Sequence, residues 1–190
     1  MSVMPSRAGA VARAADLFAS GRFLADLTRR VAIKTESQSG QRGVELAAYL
    51  TDEMVPCLDR LGFASTLVAN PVLGRGPFLI AERIEDADLP TVLVYGHGDV
   101  VLGHEGRWRA GLEPWTVTVE GDRWYGRGTA DNKGQHSVNI AALEAVLAER
   151  GGRLGFNAKI LIEMGEEAGS PGLRALAETH GDRLAADVLI

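Results

Sequence analysis

Cysteine is almost missing from this chain: the one thiol, Cys57, sits inside an apolar helical pattern and reads as a small core side chain. A single thiol excludes an intrachain disulfide framework and fits a reducing compartment, the cytoplasm. No run approaches the roughly 20 apolar residues of a membrane span. Arg13 and Asp16 interrupt the N-terminal stretch MSVMPSRAGAVARAADLF before an apolar signal core can form. Basic runs interleaved with aromatics are absent, and the formal charge is −5, so no nucleic-acid footprint is expected. Internal repeats, low-complexity segments and linkers are absent too. What remains is 190 residues, 46% hydrophobic and 24% charged, the balance of an ordinary soluble domain.

Periodicity separates helices from strands. Val11, Ala14, Ala15 and Phe18 fall at helical spacing, as do Leu24, Leu27 and Val31, with Gly21 breaking the pattern between them. Val44, Ala47, Leu50, Met54, Leu58 and Leu61 define one apolar face of a further helix, which Pro56 should kink and Gly62 should end. Segments 63–68, 78–84 and 91–95 are β-rich. The last, TVLVY, is apolar throughout, as a strand covered on both faces would be. Segment 115–119 alternates with period two and can pair with 123–125 across a turn at Gly121. A long helix is expected over 133–150, with Val138, Ala141, Ala142, Ala145 and Val146 inward. A buried strand over 156–162, a helix over 173–180 and the start of a strand over 186–190 follow. The alternation predicts an α/β fold, layered helix/sheet/helix with a mainly parallel mixed sheet. The chain stops inside that last apolar segment, so the fold is expected to be truncated.

Three polar clusters carry the chemistry: Gly96-His97-Gly98-Asp99 after TVLVY, Asp131 in GRGTADNKG ahead of the long helix, and Glu163-Met-Gly-Glu166-Glu167 after NAKILI. In open α/β sheets ligands bind beyond the carboxyl ends of strands, so these clusters can meet at one face. His97 can offer a neutral imidazole nitrogen to zinc. Asp99, two residues on, is spaced to accept the other ring N–H. Asp131 has two oxygens and can bridge two ions, and Glu167 supplies another oxygen ligand. Glu166 is left free to take a proton from water. Taken singly, each residue has a structural explanation: a strand-end histidine, a helix N-terminal carboxylate, a solvated acidic pair. Their joint occurrence among glycines favours the site. Rival motifs fail. GRGTAD has Asp131 where a dinucleotide loop needs its third glycine, no phosphate-binding G-x-x-x-x-G-K-[ST] occurs, and Ser170 lies in AGSPG rather than G-x-S-x-G. His136 and His180 read as packing or surface residues, and His104, Trp108, Arg109 and Trp115 as rim residues.

The stretches VLVYGHGDVV, WYGRGTADNKGQ and EMGEEAGSPGL, in that order, resemble the acetylornithine deacetylase, succinyl-diaminopimelate desuccinylase and glutamate carboxypeptidase family of zinc metallopeptidases. The resemblance implies two divalent metal ions, zinc foremost, with cobalt or manganese also suited to such ligands. It makes His97 a ligand of one ion, Asp131 the bridge, Glu167 a ligand of the other, Asp99 the residue orienting His97, and Glu166 the general base. It also implies a cis peptide between Asp131 and Asn132. The implied activity is hydrolysis of amide bonds in small peptides or N-acyl amino acids, as in dipeptidases, carboxypeptidases and deacetylases. Such enzymes add a lid or dimerisation domain, so a full-length form can be a homodimer. The family's further acidic ligand and late histidine ligand lie beyond the point where this sequence stops. Residues 1–190 are therefore expected to be the N-terminal portion of a catalytic domain. Two rival readings remain open: a catalytically incomplete metal-binding fragment, and a nucleotide-binding α/β module.

Overall fold

In the computed structural model of the chain, residues 5–190 are described; the first four residues of the N-terminal stretch read above for a signal lie outside them. The Ser6 hydroxyl accepts the Gly9 N–H and starts α1 (Arg7–Ala19), and Gly21, at φ 78°, turns the chain into α2 (Arg22–Ala32). A left-handed value of this kind costs glycine almost nothing, so the anticipated break is a corner between two helices. The next helical stretch is α3 (Gly43–Ala48), a π-helical segment (Tyr49–Met54) and α4 (Val55–Arg60). Pro56 has no N–H to give, and the ladder widens just ahead of it. The wider turns hold Leu46, Leu50, Met54 and Leu58 at a spacing of four on one buried face. Val44, expected inward, is left 80% exposed. No helix among the described residues is long and apolar enough to cross a membrane.

The strands are β1 (Ala64–Val68), β2 (Phe78–Arg83), β3 (Thr91–His97), the hairpin of β4 (Thr118–Glu120) and β5 (Arg123–Tyr125), β6 (Asn157–Glu163) and β7 (Val188–Leu189). The main sheet is ordered β1-β2-β6-β3-β7. β2 is antiparallel to both its neighbours, while β3 is parallel to β6 and to β7. Every strand but β2 therefore points the same way, and the mixed, mainly parallel sheet is as expected. Every residue of β6 is buried, because helices cover both of its faces. On one face Ala158, Ile160 and Ile162 meet Leu46, Leu50, Met54, Leu58 and the helix α5 (Lys133–Glu149). On the other, Leu161 joins Phe78, Ile80 and Leu93 under Leu176 of α6 (Leu173–Leu184).

Helix α5 turns Ala145 and Val146 inward as expected, but not Val138 and Ala142. Val138 is 57% exposed and Ala142 faces solvent, whereas His136, Ser137, Ile140, Leu143 and Leu147 are buried. α1 and α2 pack on α5 while its other side meets the sheet, so apolar residues occur on several flanks and mark no single face. Polar residues on its first turns are buried for specific partners. Lys133, wholly enclosed, donates from Nζ to the carbonyls of Arg30 (2.8 Å) and Ile33 (2.7 Å), which end α2. A cation at a helix C-terminus is well placed, and burial pushes its pKa down to about 7. Arg30 O also accepts the Ile33 N–H and Ile33 O the Thr35 N–H. Lys133→Met therefore removes two charge-assisted bonds without orphaning either carbonyl, and urea titration should show a loss of about 1–3 kcal/mol in unfolding free energy. Unchanged stability would remove this role from Lys133.

Candidate metal centre

β3 and β6 are parallel neighbours in a register that sets His97 opposite Glu163. The loops that follow them therefore leave the same end of the sheet. Glycines flank His97 because there is no room for anything larger. A Cβ at Gly96 would lie 2.9 Å from Asn132 Oδ1, and one at Gly98 would lie 2.5 Å from the Tyr49 ring. His97 itself is buried. Its Nδ1 lies 3.0 Å from the carbonyl oxygen of Asp99 and 3.4 Å from Asp99 Oδ1. Nε2 lies 3.0 Å from Asp131 Oδ1 and 3.8 Å from Glu166 Oε2.

Asp99, fully enclosed, does more than its spacing from His97 indicated. Its Oδ1 accepts the Glu166 N–H at 3.2 Å and its Oδ2 the Glu167 N–H at 3.1 Å. One buried carboxylate thus joins the β3 loop to the short 3₁₀ turn Glu166–Ala168. The hydrogen bond to the imidazole is shared with the main-chain carbonyl of the same residue. Gln38 Nε2 adds a bond to Glu167 O at 3.0 Å, from the segment between α2 and α3.

Asp131, largely exposed, is joined to Asn132 by a cis peptide bond. Asn132 Oδ1 accepts the backbone N–H of His97 at 3.2 Å, which can only donate, so the amide orientation is determined. His136 Nδ1, 3.3 Å from the same oxygen, must then carry its proton. That leaves His136 Nε2 to accept from the Tyr49 hydroxyl at 2.6 Å. Burial, aided by nearby cationic groups, depresses the His136 pKa well below its ordinary value and keeps this ring neutral. A chain from Tyr49 through His136 and Asn132 thus supports His97 and the residue beside Asp131.

The electrostatics of the cluster are one-sided. Burial works against a charge on His97, but Asp99, by hydrogen bond and charge, and then Glu166 push its pKa up to about 9. Burial, with the charges of Asp131 and Glu166, raises that of Glu167. Each ring nitrogen of His97 faces oxygen, Nδ1 that of Asp99 and Nε2 that of Asp131. His97, Glu166 and Glu167 each offer a ligand atom, all within 4.8 Å of one another. These donors suit a divalent cation in type and in their surplus of negative charge.

All five residues singled out by pattern converge. The rim residues do not join them: Trp108 Nε1 donates to Gly103 O, Trp115 Nε1 to Glu105, and Arg109 pairs with Glu120, all within their own loop and hairpin. Asn132, His136 and Gln38 were passed over. Asn132 stands beside Asp131 in the motif, which was a usable signal, but nothing in the sequence marks His136 or Gln38.

Residues 93–190 match the model of Peptidase family M20/M25/M40, and the chain belongs to this family. It is 33% identical over 134 residues to a cysteinylglycine-S-conjugate dipeptidase of Corynebacterium striatum, covering 70% of this chain and 28% of the relative. It is 39% identical over 102 residues to a succinyl-diaminopimelate desuccinylase of Methylobacterium sp. strain 4-46, covering 51% and 25%. The fold superposes on human carnosine dipeptidase 1 with a TM-score of 0.77 and 31% identity, covering 88% of this chain and 37% of that structure. The chain thus spans about a quarter of the length of these curated relatives. Membership implies the use of a divalent metal, for which the cluster around His97 supplies the donors. Asp99→Ala would release the Glu166–Glu167 turn and one partner of His97 without removing a ligand. Chelator competition should show cation affinity weakened by roughly 10–100-fold, and an unchanged affinity would confine Asp99 to a packing role.

Proposed function

We propose that this site hydrolyses an amide bond in a small peptide or N-acyl amino acid, using two divalent cations. His97 would hold one cation and Glu167 the other, with Asp131 shared between them. Zinc is the first choice, and cobalt and manganese also suit imidazole and carboxylate donors. The observation that carries the reading is the convergence of His97, Glu166 and Glu167, whose ligand atoms lie within 4.8 Å of one another, with Asp131 Oδ1 3.0 Å from His97 Nε2. The relatives named for dipeptide and N-succinyl substrates support the substrate class. When bound, the cations supply Lewis acidity, making water acidic near neutral pH and polarising the scissile carbonyl.

The chain's own residues do the rest. Asp99 holds the amides of Glu166 and Glu167, which sets both carboxylates against His97. Glu166 is the more exposed of the pair and faces outward, where an attacking water arrives. As general base it takes the water's proton and returns it to the leaving nitrogen. The carboxylate surplus that lifts the His97 pKa is offset once cations are in place.

One count favours a second reading. With Asp131 counted twice, these residues give each cation two protein ligands, where a hydrolytic zinc centre uses about three. In that reading the 190-residue chain holds metal weakly and turns over no substrate.

The decisive experiment measures metal content and turnover together, on a dipeptide and N-acyl amino acid panel with added zinc, cobalt or manganese. Glu166→Gln should keep its metal and lose on the order of 10²–10⁴ in kcat, since only the proton acceptor goes. Glu167→Gln should lose a metal. Binding without turnover in the parent chain selects the second reading. Binding that is indifferent to Glu167→Gln overturns both.

A further inference from the structure

Glu163 is as enclosed as Asp99, and none of the roles above uses it. It ends β6 opposite His97 and is fully buried. Its Oε1 accepts the Tyr95 hydroxyl at 2.5 Å and the Ser170 hydroxyl at 3.0 Å. Its Oε2 is buried and has no hydrogen-bond partner among the described residues. Burying a carboxyl with half its capacity unused is costly, and a simple tie between two hydroxyls would not need one.

What this carboxyl grips is the loop that carries Glu166 and Glu167. The loop leaves β6 after Glu163, and Ser170 closes it in a left-handed conformation at φ 51°. Inside it, the Ala168 and Ser170 amides donate to Gly165 O and the Gly169 amide to Glu166 O. Asp99 secures the start of the loop through the amides of Glu166 and Glu167, and Glu163 secures its end through Ser170. Tyr95 belongs to β3 and, two residues before His97, lies on the same side of that strand. The bond from Tyr95 to Glu163 therefore ties the strand bearing the histidine to the loop bearing the glutamates.

We propose that Glu163 is a positioning residue, which through Ser170 and Tyr95 holds the Glu166–Glu167 loop in the geometry that a divalent cation requires. The proposal rests on the metal reading above. Its signature is a locally ordered loop in an otherwise unaltered fold, together with a cation affinity that depends on side chains distant from the ligand atoms.

The test uses the whole chain and the variants Tyr95→Phe, Ser170→Ala, Glu163→Leu and Glu163→Gln. The two hydroxyl deletions are near-isosteric, so a failure of Glu163→Leu to fold leaves the test intact. The first readout is amide hydrogen exchange in the metal-free protein. The amides of Ala168, Gly169 and Ser170 should exchange about tenfold faster in Tyr95→Phe and Ser170→Ala, with the β6 amides unchanged. The second readout is a cobalt titration followed by visible absorption. Affinity should fall by about 10–100-fold in Glu163→Leu, with an altered cobalt spectrum. Glu163→Gln keeps one oxygen for both hydroxyls and should restore most of the affinity and the parent spectrum. Unchanged cobalt affinity in variants that remain folded overturns the proposal, as does acceleration that extends equally to β6. Glu167→Gln is the control. If it too binds cobalt like the parent, the metal reading has failed, and the exchange rates alone then decide whether Glu163 positions the loop.

Discussion

The site depends on how β3 lies against β6. Their parallel pairing sets His97 level with Glu163, so two loops about 65 residues apart in sequence leave the sheet side by side. A strand advances about 3.3 Å per residue and alternates its faces. A slip of one residue would turn His97 to the opposite face of the sheet. A slip of two would carry it more than a hydrogen-bond length from Asp131 and Glu166. The two differently packed faces of β6 and the tight space around the glycines on either side of His97 favour this register. Asp99 then converts it into a fixed geometry, because its two oxygens meet consecutive amides of the other loop.

Charge is the second constraint. Asp99, Asp131, Glu166 and Glu167 crowd a single imidazole, and Glu163 lies just beneath. Such a group is unfavourable unless positive charge compensates it. Asp99 and Glu166 push the His97 pKa up to about 9 against the effect of burial. Asp99 is compensated differently, by amide dipoles. Asp131 and Glu166 reach solvent, whereas Asp99 is enclosed and held by two amides.

Much of this was legible in the sequence, and the misses share a cause. The Gly21 corner, the Gly62 stop, the β6 strand and the three polar clusters each have a local signature, such as a glycine at a break or an apolar run ending in polar residues. Val44, Val138 and Ala142 were assigned inward and face solvent. The first reflects a π turn whose extra width shifts the helix face. The other two belong to a helix covered on more than one side, where hydrophobicity does not select a face. The rim reading of Trp108, Arg109 and Trp115 missed that their polar atoms are engaged within their own loop and hairpin.

From residue types and spacing alone came the α/β class, the order of elements and the five residues at the centre, since these follow from local periodicity and from which side chains carry ligand atoms. Tertiary structure alone decided that Asp99 holds the Glu166 and Glu167 amides, that His136 supports Asn132, and that Glu163 ties Tyr95 to Ser170. Each of those bonds joins segments distant in sequence through atoms whose partners are set by sheet register and helix rotation. A polar residue in a helix or at a strand end looks the same in sequence whether water or a buried partner satisfies it.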